Sequence, residues 1–130
     1  MNISRSSEYA LLSLIHIARD TGAGITSLEG IAISQHLPVE PLSETLQALV
    51  RGKYLRNTKA GYRLAKPANK IAVAEIIRLF DGVFALFEPA SQNGYKPSPV
   101  ALEEKLCNLF DQIQDLVINR LENTTLADLV

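Results

Sequence analysis

Between residues 39 and 65 the rhythm of apolar residues changes, and few architectures accommodate that change. Leu42, Leu46, Leu49 and Val50 fall at helical spacing, as they do in a helix with one buried face. Glu40, Ser43, Glu44 and Gln47 point the other way. Pro41 fits only in the first turn, where no backbone donor is needed. Gly52 lies where such a helix should stop. The spacing therefore predicts a helix over about 39–51. Beyond it, Tyr54-Leu55-Arg56-Asn57 and Tyr62-Arg63-Leu64-Ala65 partly alternate around Thr58-Lys59-Ala60-Gly61. That is the pattern of a β-hairpin with glycine in its turn.

The same stretch is electrically one-sided. Residues 51–70 hold seven basic side chains and no acid, within a chain whose net charge is −1. Residues 1–70 carry nine basic against five acidic groups, and residues 71–130 four against nine. A basic hairpin on a near-neutral chain is an electrostatic footprint for a polyanion.

The remaining elements surround this pair. Residues 7–19 read as a first helix with Leu11, Leu14, Ile15 and Ala18 on its apolar face. A second, short helix is expected from Thr26, because Thr26-Ser27-Leu28-Glu29 has the form of a capping box, with Leu28, Ile31 and Ala32 inward. Ser34 to Pro38 reads as a turn. A fourth helix is expected over 72–81, with Val73, Ile76, Ile77 and Phe80 inward. Residues 88–99 contain three prolines and a glycine and read as a loop. That loop, with Phe84, Phe87 and Tyr95 beneath it, is a candidate sensor region, although core packing is the better explanation of those aromatics. The last helix is expected over 100–122. Its residues Leu102, Leu106, Leu109, Ile113 and Leu116 are spaced like a coiled-coil seam, widened by Phe110, Val117 and Leu121. A helix this broadly apolar predicts pairing with its counterpart in a second copy, giving a two-fold homodimer. Thr125-Leu126-Ala127-Asp128 can cap a final turn. The expected organisation is a DNA-binding region at 1–81, a loop at 82–99 and a dimerisation segment at 100–130.

Helix, short helix, tight turn, helix, basic hairpin is the order of a mainly α winged helix-turn-helix. In that arrangement the helix after the turn enters the major groove and the hairpin reaches the neighbouring backbone. Arg56, Lys59 and Arg63 on the wing would neutralise phosphates. Glu40, Ser43, Glu44 and Gln47 would face base edges, where Gln pairs with adenine and Glu accepts from cytosine. Arg5, just before the first helix, is a further candidate contact. Two acids on the reading face repel phosphate, which keeps open a second reading: a winged-helix protein-interaction module that does not bind DNA.

The chain resembles the Rrf2 family of bacterial winged-helix transcription regulators, the IscR, NsrR and CymR types. The resemblance rests on Tyr9-Ala10-Leu11, Ile31-Ala32, the Leu42, Leu46 and Leu49 pattern, Gly61-Tyr62-Arg63-Leu64-Ala65, and the ending Thr124-Thr125-Leu126-Ala127-Asp128-Leu129. It implies a homodimer that binds double-stranded DNA through helices 2 and 3 plus the wing. Many relatives also carry three cysteines in the loop before the long helix, as ligands of an iron–sulfur cluster. Here that loop contains none. The single cysteine, Cys107, lies inside the long helix beside Leu106 and is expected to be a small buried hydrophobe, with a redox-sensing thiol as the sharper alternative. No cofactor is expected. The signal would then be a small molecule, a thiol oxidation or a partner protein.

Other classes find little support. The histidines are His16, mid-helix, and His36, in a turn, and no Gly-rich phosphate loop, H-E-x-x-H or G-x-S-x-G is present, so the chain does not read as an enzyme. No apolar run is long enough to span a membrane. A soluble protein of the reducing cytoplasm is expected.

Overall fold

The computed structural model describes residues 2–20, 24–83 and 99–130. Phe84, Phe87, Tyr95 and nearly all of the expected sensor loop lie outside the described residues. The elements are α1 (Arg5–Arg19), α2 (Leu28–Gln35), α3 (Val39–Arg51), β1 (Leu55–Thr58), β2 (Gly61–Leu64), α4 (Val73–Asp81) and α5 (Glu104–Glu122). Short 3₁₀ turns occur at Ala68–Lys70, Pro99–Leu102 and Leu126–Leu129. This is a mainly helical winged helix-turn-helix followed by a long helix, as the sequence predicts.

The helices α1 to α4 and the hairpin enclose one core. Leu14, Ile31, Leu42, Leu46, Leu49, Leu55, Ile71 and Ile76 are all fully buried there or nearly so. Burying a side chain of this size contributes about 1.5–3 kcal/mol, so this cluster is the main source of the fold's stability. The inward face of α1 is rotated from the expected one. It buries Ser7, Ala10, Ser13, Leu14 and Ile17, while Leu11 and Ile15 pack partly buried at its edge. Hydropathy alone ranks serine as surface, but both serines find hydrogen-bond acceptors. The Ser13 hydroxyl donates to the Tyr9 carbonyl at 2.7 Å, and that of Ser7 donates to the Asp81 carboxylate at 2.6 Å.

The cap of α2 also differs by one residue. Ser27, not Thr26, is the N-cap, its hydroxyl accepting from the Gly30 N–H at 3.0 Å. With glycine three residues on, no carboxylate completes a capping box. Thr26 instead lies beside the wing. Its N–H donates to the Tyr62 carbonyl at 2.9 Å, and the Tyr62 N–H donates back to the Thr26 carbonyl at 2.8 Å. Thr26 thus forms a third, one-residue strand on the inner edge of β2, leaving β1 as the outer edge.

Both α2 and α3 end in the same way. After α2, His36 adopts the left-handed conformation (φ 56°), and the Leu37 N–H donates back to the Ala32 carbonyl at 2.9 Å. After α3, Lys53 does so (φ 66°), with the Tyr54 N–H donating to the Leu49 carbonyl at 2.9 Å and its own N–H to that of Val50 at 3.0 Å. These are Schellman closures, in which the left-handed position is usually glycine.

The chain's end returns to the core. The Val73 N–H donates to the Thr124 carbonyl at 2.9 Å, and the Leu126 N–H to the Ile71 carbonyl at 3.0 Å. Leu126 is fully buried. The Asp128 carboxylate accepts from the Thr125 N–H at 2.9 Å, so aspartate caps this last turn as the sequence suggests. Between these anchors and Pro99–Leu102, α5 buries none of its residues completely.

Candidate nucleic-acid interface

The recognition face of α3 follows from its register. Leu42, Thr45, Leu46 and Leu49 are buried. That leaves Glu40, Glu44 and Gln47 exposed and Ser43 partly exposed on the opposite face. Arg51, four residues beyond Gln47, extends the same exposed stripe. The spacing 40, 44, 47, 51 could have revealed it from the sequence.

The wing is a two-residue hairpin, its strands paired Leu55 with Leu64, Arg56 with Arg63, Asn57 with Tyr62 and Thr58 with Gly61. Lys59 and Ala60 form the exposed tip. The Thr58 hydroxyl braces the turn, donating to the Gly61 carbonyl at 2.8 Å and accepting from its N–H at 3.2 Å. Gly61 has φ +142°, and a Cβ there would meet the Thr26 carbonyl oxygen at 2.5 Å. Only glycine lets the wing close this tightly against Thr26.

Register also sets the wing's charge. Arg56 and Arg63 are direct cross-strand partners and both are exposed. Like charges placed so are destabilising by roughly 0.2–1 kcal/mol. Phosphates at the same surface would relieve that repulsion.

Arg5 stands apart from this group. The far end of α1, with Ile17 and Ala18, lies beside Arg63 and Leu64, which puts Arg5 roughly 20 Å away along the helix axis. Its guanidinium pairs with Glu8 at 3.3 Å, both side chains exposed, and such a pair is worth less than about 1 kcal/mol. At this end of α1, Asp81 accepts from the Ser4 N–H at 3.1 Å and from the Ser7 hydroxyl. Burial pushes the Asp81 carboxyl up, but the hydrogen bonds from Ser4 and Ser7 outweigh it and hold the group below its ordinary value.

The long helix begins at Glu104 and not near residue 100, so Leu102 is exposed in the preceding 3₁₀ turn, while α5 presents Leu109, Ile113 and Leu116 to solvent, with Leu106 less exposed. Phe110, Val117 and Leu121 are half-buried. Leu121 turns towards α4, where with Ala74, Ile77 and Ile118 it lines a cavity of about 140 Å³. An ion pair, Arg78 to Glu122 at 3.0 Å, closes its rim.

A family model described as Rrf2, iron-dependent transcriptional regulator, matches residues 3–130. The transcriptional regulator CymR of Bacillus subtilis is 30% identical over 132 residues, spanning 99% of this chain and 89% of that protein. The solved structure of CymR (YrzC), described as the global cysteine regulator of B. subtilis, superposes with a TM-score of 0.80 at 29% identity, covering 99% of this chain and 95% of that one. The oxidized form of Staphylococcus aureus CymR gives a TM-score of 0.71 at 30% identity, with the same coverage.

The family's iron does not fit this chain's donors. Clusters of this kind take cysteine thiolates, usually four, and the sequence has Cys107 alone. Cys107 lies partly buried on α5, more open than a core cysteine. Among the described residues, no three His, Cys, Asp or Glu side chains converge to hold a metal. No helix among them is long and apolar enough to cross a membrane. Helix-turn-helix, basic wing, long helix and end-to-end sequence likeness agree: the chain is not an enzyme but a winged-helix transcriptional regulator, and it belongs to the Rrf2 family.

Proposed function

We propose that the chain acts as a homodimer on a pseudo-palindromic DNA operator without an iron–sulfur cluster. The wing carries this reading. Arg56 and Arg63 face each other across a hairpin tipped by Lys59, with no acid in residues 51–70. A surface of that kind is repulsive alone and favourable against a polyanion. Wing contacts would fix position, while Ser43, Glu44 and Gln47, with Glu40 nearer the helix start, would read base edges. The dimer would form through Leu102, Leu106, Leu109, Phe110, Ile113, Leu116, Val117 and Leu121. Such pairing sets two reading heads against one face of the duplex, which is why the operator would be two-fold. Arg5 would serve only as a peripheral backbone contact.

The test is a gel-shift titration against the gene's own upstream region at two salt concentrations. A shift that weakens steeply with salt supports operator binding. A chain that shifts no such DNA at either salt is a protein-interaction module, the reading that the acidic side chains Glu40 and Glu44 favour. Protein purified without oxygen should be colourless, and a brown sample with visible absorbance would contradict cluster-free action. An effector of small-molecule, oxidant or protein class is expected to change the DNA affinity.

A further inference from the structure

We propose that the trough between the end of α3 and the outer edge of β1 is a phosphate-binding site for duplex DNA, anchored by Lys53 and walled by Arg56 and Lys66. The trough measures about 650 Å³, and Lys53, Arg56, Asn57 and Lys66 line it over an apolar floor that includes Val50 and Leu55. It rests on the DNA-binding reading above and adds two cations, Lys53 and Lys66, to the interface.

Three observations converge on it. First, Lys53 occupies a position where glycine is the usual choice, with φ 66°. The chain has a glycine one residue earlier, but that one serves packing. A Cβ on Gly52 would lie 3.1 and 3.2 Å from the Tyr54 ring and 3.3 Å from Leu79 Cδ2. Gly52 itself has φ −77°, a conformation open to any residue. The left-handed strain thus falls on a residue whose side chain carries charge into the trough. An observed backbone outlier is a reason to look for function at that side chain.

Second, Lys66 is held in place, its Nζ 4.8 Å from the centre of the Tyr54 ring. A cation over an aromatic face is oriented before any ligand arrives. Third, the outer edge of β1 is polar and open. Tyr62 bonds with Thr26 on the inner side, so its partner Asn57 is a non-hydrogen-bonded pair, and the backbone groups of Asn57 point away from β2. An N–H and three cations around an apolar floor suit a phosphate and its sugar, which contact proteins mostly through such groups.

The test uses the full chain and a 30-bp duplex of mixed sequence, with fluorescence anisotropy measured across a salt series. Lys53→Gln keeps an unbranched polar side chain and the left-handed strain but removes the charge. Its log K against log salt slope should flatten by about 0.9 for each chain bound, which is about an eightfold loss of affinity at 0.1 M salt. Lys53→Arg should restore the slope. Lys53→Gly should raise the thermal midpoint, because it relieves the left-handed strain, while it weakens DNA binding as Lys53→Gln does. A lysine with a merely structural role would not move these two readouts in opposite directions. A Lys53→Gln slope equal to wild type overturns the proposal and leaves the DNA-binding reading intact, provided that wild type shows a steep slope and Lys59→Gln flattens it. Wild-type protein that shows no salt-sensitive binding to duplex at all overturns the DNA-binding reading first, and this site with it.

Discussion

Gly61 is the residue on which closure of the wing depends, and replacing it by alanine tests the geometry directly. Two costs arise. The backbone at φ +142° is a region where side-chain-bearing residues are strained by about 1–3 kcal/mol. In addition, the new Cβ would lie 2.5 Å from the Thr26 oxygen, 2.7 Å from its carbonyl carbon and 2.9 Å from the Ser27 nitrogen. These are backbone atoms and cannot rotate aside. To reach ordinary contact the Thr26 segment must move by roughly an ångström, and its two hydrogen bonds with Tyr62 would not survive. Each is worth about 1 kcal/mol, so the total is roughly 3–5 kcal/mol. Against a stability of about 5–15 kcal/mol the variant should still fold, with a midpoint roughly 10–15 °C lower. The assay is thermal melting by circular dichroism at 222 nm, with Gly24→Ala as control. Gly24 also has positive φ (+69°), but a Cβ there meets nothing within 4 Å, so that variant bears strain alone. If the two variants melt within about 2 °C of each other, the clash with Thr26 is not real and the wing is not closed as described.

Three further outcomes follow from named contacts. Reversing charge at the tip, Lys59→Glu with Arg63→Glu, should weaken binding to every duplex and flatten its salt dependence by about 0.9 per lost phosphate contact; unaltered anisotropy curves would remove the wing from the interface. For Asp81, the folded carboxyl lies below its ordinary value of 3.8, so its stabilising effect is complete above that value and disappears as pH falls through the depressed one. Denaturant midpoints of wild type and Asp81→Asn should therefore differ at pH 6 and converge as the pH falls below the ordinary carboxylate value and through the depressed one; a constant gap across that range would contradict the assignment. Leu109→Asp with Ile113→Asp should give a monomer by sedimentation with an unchanged far-UV spectrum, and a persistent dimer would place the interface elsewhere.

Much of this architecture is legible in the sequence where local chemistry and burial agree. The α3 boundaries, Val39 and Arg51, coincide with Pro38 and Gly52 because both flanking residues act on the backbone itself. The hairpin is legible through Gly61. Disagreements arise where a polar side chain is satisfied by a partner that periodicity cannot see. Ser7 reads as surface because its partner, Asp81, is 74 residues away. Thr26 and Ser27 are chemically equivalent caps, and the choice between them was made by Tyr62, which takes the Thr26 backbone for the wing. Lys53 carries no local signal at all. The nearby glycine, Gly52, is taken up by packing against the Tyr54 ring and Leu79 of α4, and the α4 contact is a tertiary fact.

The anchoring of α5 bears on how a signal could reach the reading face. At one end, the Val73–Thr124 and Leu126–Ile71 hydrogen bonds and the buried Leu126 fix the chain to the winged-helix core. The Arg78–Glu122 ion pair ties the same end to α4. At the other, α4 ends in Asp81, whose carboxylate holds the first turn of α1 through Ser4 and Ser7. Directly after it, Gly82 has φ +76°. A displacement of α5 relative to the core acts on α4 at the Arg78 contact, and on α1 through the final turn, where the Arg19 guanidinium donates to the Leu129 carbonyl at 3.2 Å. From α4 it passes to α1, which packs directly against α3. The path consists of packed helices and charge-assisted hydrogen bonds, the kind of network that carries coupling. Asp81 is its narrowest link, because one carboxylate oxygen accepts both the Ser4 N–H and the Ser7 hydroxyl. An effector that acts through α5 should lose part of its influence on DNA affinity in Asp81→Asn, even where basal DNA binding is retained.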